Sequence, residues 1–295
     1  MTAITKILVS FLLLVQVSCA NPGTSADKKS NDNPGLQNQG VRIDYEDSRT
    51  GDTVLFFIHG WNINKTYWSN QTGFFATRYR VVSIDLPGFG ESGKNRSDWS
   101  VDAFGKDVTS LLTQLDLKKV ILIGHSMSGA IALEAALTNP SRVIGIVGVD
   151  NFTNFGAVPS PQDSQDIAEA YKALRTNYKQ TASQYASQYL FSPSTDTAVK
   201  KRVMADFMNA DSSISVDCLQ QNDRYPIDKK LGELKKVLYL INSDLRGTDT
   251  LAFKKNNIDF RLLNIGPTGH YPMIEKPNNF NAFLSRAIND IGKSK

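Results

Sequence analysis

The chain has 295 residues, 41% of them hydrophobic and 21% charged, with a formal charge of +4 and two cysteines. That apolar share supports a sizeable core without a disulfide scaffold. The weak charge is spread in both signs and leaves no basic footprint for nucleic acid.

The N-terminus reads as a separate object. Lys6 precedes the apolar run Ile7–Val15, and small residues follow at Ser18-Cys19-Ala20. A charged start, a short apolar run and a small-residue site describe a secretion signal over residues 1–20. The run is shorter than the roughly 20 residues a membrane-spanning helix needs. Two processing routes are open: cleavage after Ala20, or lipidation of Cys19, which Val17-Ser18-Cys19 permits and Gln16 argues against. The expectation is an exported protein, either free or tethered to a membrane through Cys19. Cys218 would then have no disulfide partner. Residues 21–40, NPGTSADKKSNDNPGLQNQG, bury too little apolar surface to fold, which predicts a flexible linker.

From residue 41 onward, short β-branched runs alternate with helix-period segments. The predicted strands are Val41–Tyr45, Thr53–Ile58, Arg80–Ile84, Val120–Ile123, Val143–Val149, Val237–Ile241 and Asp259–Ile265. The predicted helices are Val101–Leu115, Met127–Leu137 and Phe280–Ile291. This alternation implies an α/β fold with a mostly parallel central sheet flanked by helices. Between Asp150 and Lys236 the strand pattern stops, and 164–190 and 198–222 read as helical. The insertion predicts a helical cap at about 152–230 within a domain spanning 41–295.

The strongest chemical signal is Gly124-His125-Ser126-Met127-Ser128-Gly129, which ends an apolar strand and opens a helix. A nucleophile elbow needs this context, with small residues two before and two after the nucleophile. Ser126 would stand at the top of the sheet beside the positive end of the following helix. Upstream, His59-Gly60-Trp61 ends another strand, where the loop can supply an oxyanion amide from Trp61; Met127 would supply the second. Among three histidines, His270 lies in a glycine-flanked loop after the last strand, where a general base belongs. Three dispersed histidines make no metal cluster, so neither metal nor cofactor is expected. The acid partner of His270 is read first as Asp244, after the penultimate strand, with Asp150 and then Asp249 as alternatives.

Together these residues resemble the α/β-hydrolase superfamily over roughly 41–295. The resemblance rests on His59-Gly60, the segment Asp85–Ser92 (DLPGFGES), the Ser126 elbow, and Gly269-His270 followed by Glu275-Lys276-Pro277. It implies a serine hydrolase that cleaves a small carboxylic ester or related acyl substrate through an acyl-enzyme. A serine nucleophile argues against the haloalkane dehalogenases and epoxide hydrolases of that superfamily. A C–C bond hydrolase or a cofactor-free haloperoxidase could use the same residues. A non-catalytic small-molecule receptor is the reading from a different class, disfavoured by an intact set of Ser126, His270 and an acid.

Overall fold

The computed structural model describes residues 35–293. The secretion signal, Cys19 and most of the expected linker therefore lie outside the described residues. The end of that linker does not: Leu36–Asn38 (β1) pairs antiparallel with Val41–Ile43 (β2). Asn38 also donates to Asp107 at 2.7 Å, so the folded domain begins before residue 41.

The expected strand Val41–Tyr45 is broken at Asp44. Lys65 (2.7 Å) and Arg42 (2.5 Å) hold its carboxylate, and a new strand, Tyr45–Asp47 (β3), starts beyond it. The remaining elements follow in order: Val54–Ile58 (β4), Ser69–Phe75 (α1), Arg80–Ile84 (β5), Val101–Gln114 (α2), Val120–His125 (β6), Ser128–Thr138 (α3) and Val143–Val149 (β7). Between β7 and the next strand lie five helices: Pro161–Thr176 (α4), Tyr178–Tyr189 (α5), Thr197–Asn209 (α6), Ser212–Asp223 (α7) and Ile227–Glu233 (α8). Leu238–Ser243 (β8), Thr250–Lys255 (α9), Phe260–Gly266 (β9), Pro272–Glu275 (α10) and Pro277–Lys293 (α11) complete the chain.

The strands β3 to β9 form one seven-stranded sheet in the order β3-β5-β4-β6-β7-β8-β9, in which only β3 runs antiparallel. The inner strands β4 and β6 are buried along their whole length, as strands covered on both faces must be. Helix α3 packs on β6 and β7 with α2 against it, and α11 packs on β7, β8 and β9. Strand order reverses at β4, and an open parallel sheet binds ligands beyond its carboxyl ends near such a point. His59, Ser126, Asp150 and the loop after β9 all stand at that edge.

Candidate active site

Ser126 sits between β6 and α3 with φ of +53°, a left-handed conformation that is rare outside glycine. Two contacts hold it there. Its amide donates to the Val149 carbonyl at 2.9 Å, and its own carbonyl accepts from Gly129 at 3.0 Å. The turn is so tight that a Cβ on Gly124 would lie 2.2 Å from the Ser128 carbonyl oxygen. Ser128, in the place of the more usual glycine, is fully buried and donates its hydroxyl to the His59 carbonyl, linking the elbow to the loop after β4. Met127 is the N-cap of α3. Amides at this end of a helix have no intrahelical acceptor and lie at the positive end of its dipole.

The three histidines separate cleanly. His59 is fully buried; its Nε2 accepts from the Leu86 amide at 2.9 Å and its Nδ1 donates to the Gly60 carbonyl at 2.8 Å. Burial lowers its pKa. His125 donates Nε2–H to the His270 carbonyl at 2.8 Å, and its buried Nδ1 has no partner. Burial, followed by repulsion from His270, drops its pKa to about 3, so it stays neutral. Gly60 must be a glycine here, since a Cβ would sit 2.5 Å from His125 Nδ1.

His270 differs from both. Its Nδ1 lies 2.5 Å from Asp150 Oδ2, while the other Asp150 oxygen accepts from the Ser243 amide at 2.9 Å and hydroxyl at 2.8 Å. Burial alone would raise the pKa of this carboxyl. The hydrogen bond and charge of His270, with the two donors of Ser243, overcome that and hold it at about 2. Asp150 is thus a buried carboxylate that fixes the proton of His270 on Nδ1 and leaves Nε2 as the acceptor.

The expected acid Asp244 is corrected by this geometry. Asp244 is exposed; its amide continues the ladder to Gly266 at 3.1 Å and its carboxylate accepts from Asn264 at 2.6 Å. The alternative Asp249 caps α9 through the amides of Leu251 and Ala252. Asp150 reaches His270 because the chain turns back at the end of β7, with φ of +48°.

Residues to which the sequence assigned no site role secure the arrangement. Asn151 donates to the Gly124 carbonyl at 2.8 Å, bracing the elbow from the Asp150 side. Glu275 accepts from the amides of Gly269 at 2.9 Å and Tyr271 at 3.2 Å, gripping the histidine loop on both sides. The same carboxylate accepts from Thr195 of the inserted helices at 2.8 Å, and the His270 amide donates to the Leu190 carbonyl at 2.9 Å. The Glu275-Lys276-Pro277 motif carried a signal for the first of these roles. No local pattern marks Thr195 or Leu190.

Trp61 is buried, with its indole donating to the Ser215 carbonyl at 2.8 Å, and it lines a small cavity with Ser126, Met127 and His270. A wider cleft opens on the Asp150 side of Ser126 and His270. Among the described residues, no group of three or more His, Cys, Asp or Glu could hold a metal ion.

A mostly parallel sheet, a strained serine elbow and a histidine–carboxylate pair at the same edge define a class of hydrolase-like α/β proteins. The family model described as alpha/beta hydrolase fold matches residues 53–277, and the chain belongs to that family. It is 36% identical over 104 residues to an uncharacterized protein of Mycobacterium bovis, covering 35% of this chain and 30% of the relative. It is 30% identical over 149 residues to the pimeloyl-[acyl-carrier protein] methyl ester esterase of Aliivibrio fischeri, covering 50% of this chain and 56% of the relative. The matches thus span between 30% and 56% of these relatives' own length. In structure it is similar to a bromoperoxidase from Bacillus anthracis, with a TM-score of 0.75, 20% identity, and coverage of 84% of this chain and 96% of that one. At that identity the likeness shows the fold.

Proposed function

We propose that this protein is a serine esterase acting through an acyl-enzyme, with Ser126 as nucleophile, His270 as general base and Asp150 as its orienting acid. The observation that carries this reading is the 2.5 Å contact between His270 Nδ1 and the buried Asp150 carboxylate beside a serine at φ +53°. With Nδ1–H held by Asp150, Nε2 is free to take the Ser126 proton as Oγ attacks the substrate carbonyl. The amides of Trp61 and Met127 bind the oxyanion. His270 then gives the proton to the leaving alcohol as the ester C–O bond breaks. Water, activated by the same Nε2, attacks the acyl-enzyme, releases the acid and restores Ser126. The methyl ester esterase relative supports ester chemistry.

The test joins covalent labelling to turnover. Purified protein should hydrolyse p-nitrophenyl acetate, and a fluorophosphonate probe should block that activity by modifying Ser126. Labelling elsewhere, or turnover indifferent to labelling, would overturn the assignment. We also propose export from the cytoplasm, with Cys19→Ala releasing any membrane-bound fraction if lipid is attached there.

A further inference from the structure

The peptide that joins Gly60 to Trp61 is held from opposite sides by different parts of the molecule. On the sheet side, its carbonyl accepts from His59 Nδ1 at 2.8 Å. A trans peptide points its N–H away from its carbonyl, so this bond turns the Trp61 amide in the other direction. On the far side the insertion takes hold. The Trp61 indole donates to the Ser215 carbonyl of α7 at 2.8 Å, and its rings meet Phe207 at 5.1 Å and Tyr185 at 6.1 Å, both edge-on. Among the described residues, neither the Trp61 nor the Met127 amide donates to a protein acceptor, although both residues are buried. Buried amides are nearly always paired, and two left open around the cavity that holds Ser126 suit an anionic oxygen.

Asn62 follows directly. Its φ of +58° is left-handed, a conformation that asparagine tolerates better than most residues. Its side chain is bonded to the insertion at both ends: Nδ2 donates to the Tyr178 hydroxyl of α5 at 2.7 Å, and Oδ1 accepts from the Ser215 hydroxyl at 2.6 Å. Ser215 thus grips two successive residues, Trp61 by its carbonyl and Asn62 by its hydroxyl. Asn62, Tyr178 and Ser215 are all buried. Apolar contacts would seat the insertion without desolvating three polar side chains, whereas a satisfied polar network fixes a single geometry.

Resting on the esterase reading, we infer that Asn62 is a positioning residue for the Trp61 oxyanion amide, held in its left-handed turn by Ser215 and Tyr178, so that the oxyanion site is complete only while the insertion is seated on this loop. The turn at Asn62 sets the direction in which the chain leaves Trp61. Without its two bonds the turn can relax to ordinary backbone angles and carry the amide away from the developing oxyanion. A displacement of about 1 Å is enough to cost about a hundredfold in rate.

The test uses the full chain and two readouts. One is kcat and KM for p-nitrophenyl acetate. The other is inhibition by a trifluoromethyl ketone: Ser126 Oγ bonds to its carbonyl carbon, the C=O pair moves to oxygen as an oxyanion, and the serine proton passes to His270. Asn62→Gly accepts the backbone angle but removes both bonds. It should lower kcat by about tenfold to a hundredfold, short of the roughly hundredfold to thousandfold cost of deleting an oxyanion donor. KM should stay within about threefold, and the ketone Ki should rise as kcat falls. Ser215→Ala and Tyr178→Phe each leave one bond and should lower kcat about fivefold, the worth of one neutral hydrogen bond. The pH midpoint of kcat/KM should keep its wild-type value, since the His270–Asp150 pair is untouched. Arg175→Ala cuts the contacts of α4 to Asp217 and Gln220 but leaves the loop alone. It should keep kcat within about twofold, as surface changes do. Wild-type kcat and Ki in the loop variants, a loss confined to KM, or an equal loss in Arg175→Ala would overturn the positioning role and leave the esterase intact. Should Asn62→Gly not fold, the two hydroxyl variants decide by the same readouts. If the wild type showed no fluorophosphonate-sensitive ester turnover, the esterase reading itself would fail, and this inference with it.

Discussion

The helix behind Ser126 and the first helix of the insertion are opposites in packing. Of the eleven residues of α3, nine are buried, among them Ser128 and Glu134. The sixteen-residue α4 buries Leu174 alone, and a Ser160–Asp163 capping box secures its N-terminus. One helix is a part of the core that cannot move without dragging Ser126. The other is secured at its start by the capping box and packs on α5 and α7. The lesson is a division of labour: the residues of the proposed chemistry stand at the buried sheet edge, whereas the first helix of the insertion carries little of the core.

Substitutions should obey this division. The largest effect is expected at Ser126→Ala, with loss of ester turnover approaching a millionfold, the scale known for a serine protease nucleophile. Its thermal unfolding should be nearly unchanged, because Ser126 is half-buried and lines the cavities; turnover within about tenfold of wild type would remove Ser126 from the mechanism.

Next comes Asp150→Asn, expected to lower kcat by about ten-thousandfold through the wrong histidine tautomer. Asp244→Asn is its control and should leave kcat within about threefold of wild type, as an exposed surface change does. A reversal of these two results would restore Asp244 as the acid.

Glu275→Gln should fall between, lowering stability by about 1.5 kcal/mol through loss of a charged acceptor for two backbone amides and Thr195. Chemical denaturation measures it. A drop in kcat with little change in KM would mark the His270 loop, rather than the substrate space, as the part disturbed.

At neutral pH, where activity is read, a last expectation leaves the protein unchanged: a pH dependence of stability. The folded-state pKa of His125 is lowered from 6.5 to about 3, and that of His59 is lowered as well. Between these limits the unfolded chain binds protons that the folded chain refuses. Stability is therefore full above about 6.5 and falls as pH drops toward 3. Asp150, with its pKa lowered to about 2, adds a loss at the acid end, as pH falls below the ordinary carboxylate value of 3.8. His125→Gln keeps a donor toward the His270 carbonyl and should flatten the slope of unfolding temperature against pH. An unchanged slope would place the sensitivity elsewhere.

The sequence made the scaffold legible because its signals are local. Leu55-Phe56-Phe57-Ile58 and Val120-Ile121-Leu122-Ile123 announce buried strands by being apolar on both faces, and Gly124 and Ser128 announce the elbow by size. The carboxylate partner of His270 was not legible. Asp150 and Asp244 both follow strands, and the strands are neighbours in the sheet. The choice between them depends on the reversal of the chain at Asp150 and on Ser243, 93 positions away, offering two donors to its carboxylate. Likewise the start of the fold at Leu36 depends on a pairing with β2 and on Asp107, which a polar, proline- and glycine-rich composition concealed. Linear pattern reports what a segment can bury, whereas these features depend on partners distant in the chain.

The peptide of His270 is held from two sides, its carbonyl by His125 of the sheet and its amide by Leu190 of the insertion. This has a practical meaning for anyone re-engineering selectivity. A foreign insertion grafted between β7 and β8 would arrive without the carbonyl that meets this amide and without the hydroxyl of Thr195 that meets Glu275. A graft should therefore keep residues 190–195, between α5 and α6, as a fixed cassette, with diversity confined to α4 and the exposed residues of α5 and α6.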